Sequence, residues 1–177
     1  MNDYIIKTDR LGLRKWETED LVPFAEMNSN PKIMEFFPNT LNKEESDAFA
    51  NRIISHFNTN EFGLYAVDEL SSGEFIGFIG LSIPTFESNF TPCVEIGWRI
   101  AHKHWGKGYA PEGANACIKY AFETLNIPEI VSFTATINHK SIRVMEKVGM
   151  HYYGTFNHPK VDINSVLCEH VLYKIEK

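Results

Sequence analysis

Residues Arg10 to Trp16 alternate polar and apolar side chains, the two-residue repeat of a strand with one buried face. Thr18 followed by Glu19 and Asp20 predicts a helix start, with Thr18 as N-cap and acidic side chains in the first turn. A short helical piece is expected around Ile33, Met34, Phe36 and Phe37, stopped by Pro38. From Asn42 the repeat changes. Phe49, Ile53 and Phe57 recur every fourth residue with Ala50 and Ile54 beside them, one face of an amphipathic helix.

Gly63 to Leu70 and Phe75 to Pro84 then read as two strands joined by the turn Ser71-Ser72-Gly73. From Cys93 to Ile100 a third strand points Val94, Ile96, Trp98 and Ile100 one way, and Glu95, Gly97 and Arg99 the other. Ala110, Ala114, Cys117, Ile118, Ala121, Phe122 and Leu125 trace a helix face, with Pro111 tolerated in its first turn. Ile130 to Ile137 predicts a strand, and Ser141 to Val148 a short helix ended by Gly149. Strands around His151 to Phe156 and Val166 to Lys174 follow. This order predicts an α+β or α/β fold built on one mixed sheet covered by helices. No linker or repeat interrupts it, so residues 1–177 read as a single domain.

Composition sharpens this only a little. At 44% hydrophobic and 23% charged the chain is ordinary globular material. Its net charge of −6 argues against a general nucleic-acid binder and suits a cationic or neutral partner better. Three scattered cysteines without a CxxC pair fit a reducing compartment, and His102 with His104 lacks the further ligands a zinc site needs. The segment Met1-Asn2-Asp3-Tyr4 has no basic start or apolar run, and no stretch approaches the ~20 apolar residues of a membrane span. A soluble, cytoplasmic protein without metal or membrane partner is the expectation.

The most informative stretch is Lys103-His104-Trp105-Gly106-Lys107-Gly108-Tyr109-Ala110, which joins a strand to a helix through two glycines. Glycine permits positive φ and close approach of a ligand to the backbone. Backbone N–H groups at a helix start suit a phosphate or pyrophosphate. A tight turn that binds nothing has the same sequence. The ATP-binding Gly-x-x-x-x-Gly-Lys-[Ser/Thr] loop is absent, since the upstream glycine and the hydroxyl after Lys are missing, and Gly-x-Gly-x-x-Gly is absent, since position 111 is proline.

Lys103-x-x-Gly106-x-Gly108 resembles the [Gln/Arg]-x-x-Gly-x-[Gly/Ala] signature of the GNAT superfamily of acetyl-CoA-dependent N-acyltransferases. Asn138 to Met150 resembles that family's Asn-x-x-Ser segment and the helix ending Glu-Lys-x-Gly-Phe. Thr8-Asp9-Arg10-Leu11-Gly12-Leu13-Arg14 is similar to the opening of its ribosomal-protein N-terminal acetyltransferase branch, RimJ/RimL-like. The three matches occur in family order. Two positions depart from the pattern: Lys103 replaces Gln or Arg, and Met145 stands where many relatives have a tyrosine acid.

The resemblance implies a single mixed, mostly antiparallel sheet flanked by helices, with acetyl-CoA as co-substrate. It assigns Gly106, Lys107, Gly108, Tyr109 and Ala110 to the pyrophosphate, and Trp98, Arg99 and Ile100 to the pantetheine arm on a splayed strand. Asn138 would bind the cofactor from the end of the next strand, and a homodimer is compatible with the family.

Glu95, a carboxylate inside a strand, is the candidate general base, acting through a water; an ion pair with Arg99 or a solvated face is the alternative. His102 and His104 are the other candidate bases. Ser141 either hydrogen-bonds the departing thiolate or caps the helix that follows. Trp16, Phe36 and Phe37 are candidates for an acceptor pocket, or else core. Deprotonating an α-amine at pH 7 costs about 1 kcal/mol, against about 4.6 for a lysine. The coenzyme A thiol, near a pKa of ~8.5, leaves tolerably well without an acid. Direct transfer to a primary amine is therefore expected, a protein N-terminus first. A polyamine or aminoglycoside, or a binding protein without turnover, are the rivals.

Overall fold

The computed structural model describes residues 3–177; Met1 and Asn2, the start of the segment read for a leader, lie outside the described residues. Eight strands form one sheet: β1 (Ile6–Lys7), β2 (Leu11–Arg14), β3 (Leu64–Glu69), β4 (Glu74–Ser82), β5 (Glu95–Ile100), β6 (Glu129–Ala135), β7 (His151–Asn157) and β8 (Glu169–Glu176). Four helices flank it: α1 (Leu21–Asn28), α2 (Lys43–Asn60), α3 (Tyr109–Glu123) and α4 (His139–Lys147). The spatial order is β1-β2-β3-β4-β5-β6-β8-β7, and every neighbouring pair is antiparallel except β5 with β6. The mixed, mostly antiparallel sheet is as the sequence predicts.

Alternation along β4 sorts the two faces. Phe78 meets Phe24 of α1 and Phe49 of α2, each at 6.1 Å between ring centroids. Ile79, one residue on, faces α3. A Cβ added at Gly113 of α3 would sit 2.4 Å from Ile79 Cδ1, so glycine is what lets this helix lie close on the sheet. In the cross-strand register Phe78 lies opposite Arg99 and Ile79 opposite Trp98. Glu95, Gly97 and Arg99 therefore share the face of α1 and α2.

Local chemistry moves several expected boundaries. The turn Thr18–Asp20 is a 3-10 helix capped by Glu17 in a reciprocal box with Asp20, so Thr18 is not the N-cap. Ile33 to Phe37 form successive turns rather than a helix, closed by Ile33 and Met34 N–H donating to Asn30 O and Phe37 N–H to Met34 O. α4 begins at His139 because Asn138, not Ser141, is its N-cap. β1 carries no legible signal; two residues are too few for a period, and Ile6 is held by its pairing with Leu13.

Arg14, only 6% exposed, fixes the entry to α1. Its Nε and Nη2 donate to the two Asp68 carboxylate oxygens at 2.8 Å, and its Nη1 and Nη2 to those of Asp20 at 2.7 and 2.9 Å. Both carboxylates are buried, and the guanidinium bonded to them joins β2, β3 and the turn before α1. Removing one partner of such a group leaves an uncompensated buried charge. Arg14→Met is expected to lower unfolding free energy by about 3–5 kcal/mol, read as a shift in the urea midpoint.

Candidate active site

β5 and β6 touch and then part. Their parallel pairing is Glu95 with Val131, where Val131 N–H donates to Val94 O at 2.9 Å. Ser132 Oγ reaches across to Ile96 O at 2.9 Å, and beyond it the strands diverge. Ala101 N–H donates to Ile76 O, which by antiparallel alternation commits the odd residues of β5 to β4. The N–H groups of Trp98 and Ile100 therefore turn into the gap. The Ile100 carbonyl is already taken by the Trp105 indole N–H at 2.7 Å. A cavity of about 980 Å³ opens from this gap.

At the carboxyl end of β5 the chain runs through Gly106 (φ +78°) and Gly108 (φ +81°) into α3. A Cβ at Gly106 would meet nothing within 4 Å, so the backbone stands open to the cavity. Beneath, the loop is fastened to the N-terminal segment. Arg10 Nη1 donates to Lys107 O at 2.9 Å and its Nε to Glu112 Oε2 at 2.7 Å, while Thr8 Oγ1 donates to Glu112 Oε1 at 2.6 Å. The Tyr109 hydroxyl donates to Glu69, and this bond holds the Glu69 carboxyl down at about 2.

The opposite wall is α4. Asn138 Oδ1 accepts from Ser141 N–H at 3.3 Å, and its Nδ2 donates to Thr134 Oγ1 at 2.9 Å, pinning the helix to the end of β6. Ser141 and Met145, one turn apart, both line the cavity. Lys140 Nζ lies 4.4 Å over the Trp105 ring, bracing α4 against the glycine loop.

On the α1 and α2 side, Glu95 lines the cavity with Ser82 Oγ at 3.4 Å from its carboxylate, and burial pushes its carboxyl up to about 8. Glu95 is the single acid among the lining residues. Lysines and arginines there are Arg52, Arg99, Lys140, Arg143, Lys147 and Lys160.

Residues 10–151 match the family described as "Acetyltransferase (GNAT) domain". The chain belongs to the GNAT family. It is 34% identical over 151 residues to the uncharacterised protein YkkB of Bacillus subtilis (strain 168), covering 84% of this chain and 86% of that one. The crystal structure of a GNAT-family acetyltransferase from Bacillus anthracis superposes with a TM-score of 0.79 at 28% identity over 97% of both chains. Spermidine N-acetyltransferase from Vibrio cholerae, in complex with CoA and spermine, gives 0.75 at 25% identity over 96% of both. This GNAT protein is an acetyl-CoA-dependent N-acetyltransferase, which sets aside the rival of binding without turnover.

The residues of this acetyltransferase fit acetyl-CoA. Two open N–H groups of a splayed strand suit the amides of a pantetheine arm, and glycine backbone at the start of a long helix suits a pyrophosphate. Gly106, Gly108, Tyr109, Ala110, Trp98, Ile100 and Asn138 line the same cavity, as do Ser141, Phe36 and Phe37.

Three expectations, for Arg99, Trp16 and His104, need correction. Arg99 turns its backbone to β4, and its side chain donates to Asn28 and lies 4.2 Å over the Phe37 ring, away from the cofactor strand edge. It makes no ion pair with Glu95. Trp16 is core, its indole N–H bonded to Leu64 O at 2.7 Å and its ring 4.7 Å from Phe24; it does not line the cavity. The Lys107 ammonium goes to His104 and Glu69, at 3.3 and 3.6 Å, which leaves its backbone in the loop as the resemblance implies. His104 packs against Glu69 and Glu74 at the far end of β4 from Ser82, with its imidazole pKa lowered by burial, so it is no substitute for Glu95. Lys103 pairs with Glu74 rather than with the cavity. Trp105, Ser132 and Lys140 carry no sequence signal: Ser132 and Lys140 act through contacts far off in sequence, and Trp105 through a carbonyl five residues back that no hydrophobic repeat reports.

Two outcomes are expected. Gly108→Glu places a carboxylate and a strained φ in the loop, and calorimetry should show near-complete loss of acetyl-CoA affinity in a folded variant. Glu95 has a folded pKa of about 8 above its ordinary value of 4.5, so the folded state binds the extra proton and wild-type stability falls as pH rises between those values. Glu95→Gln should therefore melt progressively higher than wild type from pH 5 to pH 8, with no further gain above.

Proposed function

We propose that this enzyme transfers acetyl directly to the α-amine of a peptide or protein N-terminus, with Glu95 as general base. The observation that carries this is a lone carboxylate lining an otherwise cationic cavity and held at about 8. An α-amine at 7.7–8.0 hands its proton to such a base at almost no cost, whereas a lysine near 10.4 does so about 3 kcal/mol uphill. Acetyl-CoA supplies the activated acyl group. The Trp98 N–H polarises its carbonyl while the Ile100 N–H holds the pantetheine arm, and the Ser141 hydroxyl stabilises the sulfur as it departs.

Met145 offers no proton at the position of the family tyrosine, and a thiolate leaving group tolerates that. No acyl-enzyme is invoked: burial pushes the Cys117 thiol up, and Cys93 up to about 11. The likeness of Thr8–Arg14 to the ribosomal-protein branch supports the N-terminal acceptor. Spermine in the Vibrio cholerae relative favours a polyamine instead, but a polycation needs several carboxylates where this cavity presents one.

Glu95→Gln should lower kcat roughly 10²–10⁴-fold and flatten its rise through pH 8. A peptide with one free N-terminus and one internal lysine should carry label on the α-amine by mass spectrometry. Label mainly on lysine, or on polyamines alone, rejects the N-terminal acceptor; undiminished kcat in the variant rejects the base.

A further inference from the structure

Two arginines are buried in this protein, and they are treated very differently. Arg14 meets two carboxylates with every guanidinium nitrogen bonded. Arg99, 7% exposed, has no carboxylate partner among the described residues. Its Nη1 donates to the neutral Asn28 Oδ1, and its Nε is buried without a hydrogen-bond partner. Asn28 is itself wholly buried and donates to Ser46 Oγ at 2.8 Å, so the guanidinium is aimed by a fixed chain of polar groups. Phe37 covers one face of it at 4.2 Å. A buried cation with an open donor is costly unless an anion completes it.

Arg99 lines the cavity together with Glu95. Arg99 and Glu95 stand on one face of β5 with Gly97 between them. A Cβ at Gly97 would find only Glu95 Oε1, at 4.0 Å, so the floor between acid and guanidinium is bare. At ~3.3 Å per residue, the two Cα atoms lie about 13 Å apart. From this we infer that Arg99 binds a carboxylate of the acceptor, and that the acceptor is a primary amine whose carboxylate lies several bonds away. Its amine sits at Glu95 and its carboxylate at Arg99, with the connecting atoms over Gly97. An acidic side chain in the first residues of a peptide fits, and so does a free amino acid with a side-chain carboxylate. This rests on the proposed acetyl transfer at Glu95 and narrows its substrate class.

Binding separates this inference from the catalytic one. Calorimetry of the enzyme with CoA present measures Kd for two matched pairs, the peptides Ala-Glu-Ala-Ala and Ala-Gln-Ala-Ala, and free glutamate and glutamine. The acid member of one pair should bind at least tenfold more tightly than its amide, in wild type and in Glu95→Gln alike, and the pair that shows the ratio identifies the source. In Arg99→Gln, which keeps a donor for Asn28, and in Arg99→Met, the ratio should fall to within twofold. Equal binding of acid and amide by wild type overturns the inference, as does binding of neither. So does a ratio that persists in a folded Arg99 variant, or a loss of acetyl-CoA affinity in that variant as large as the loss of acceptor affinity. Failure of the base reading shows elsewhere, as undiminished kcat in Glu95→Gln with the binding ratio intact.

Discussion

One parallel pairing in an otherwise antiparallel sheet governs the rest of this molecule. A parallel neighbour cannot be reached by a hairpin, so the chain between β5 and β6 must cross over, and it does so through the glycine loop and α3. The crossover places a helix start at the carboxyl end of β5, where open sheets gather ligands. Because the two strands share only the Glu95–Val131 pairing before diverging, backbone donors that would complete a ladder face a cavity. The cleft, the glycine loop at its mouth and the bare floor at Gly97 all follow from that divergence.

The interactions around the cleft keep it open rather than closing it. Trp105 satisfies the last β5 carbonyl from inside the loop, and Lys140 braces α4 on the Trp105 ring. Arg10 and Thr8 tie the loop to the first strands through Glu112. Apart from the Lys140–Trp105 cation–π contact, each uses a short side chain-to-backbone or charge-assisted bond. Charge is divided accordingly. The chain carries −6 overall, yet its cavity is lined by six lysines and arginines with one acid, so the charge of the cleft is opposite to that of the whole chain.

Much of the fold was legible because periodicity reports burial. The four-residue repeat from Phe49 to Phe57 and the alternation from Val94 to Ile100 gave α2 and β5 within a few residues. Errors fell where polar side chains, not hydrophobic period, set the boundary. Glu17 and Asp20 took the cap from Thr18, and Asn138 took it from Ser141. Trp16 and Arg99 show the same limit at the site. A large aromatic residue reads alike in a core and in a pocket, and strand alternation says which face Arg99 occupies but not what covers that face.

By itself, then, the sequence determined the order of elements, the glycine loop and the placing of a carboxylate within β5, since these depend on neighbours near in the chain. The tertiary structure decided which of those groups meet. The Glu95 carboxyl stands above the ordinary carboxylate range because burial in the cleft lifts it, against a hydrogen bond from Ser82 of β4 that lowers it. Arg99 left the cofactor edge because antiparallel pairing with Phe78 committed its backbone to β4 and turned its side chain towards Asn28 and Phe37. Solvation and hydrogen-bond pairing are fixed by contacts between distant segments, and no local pattern encodes them.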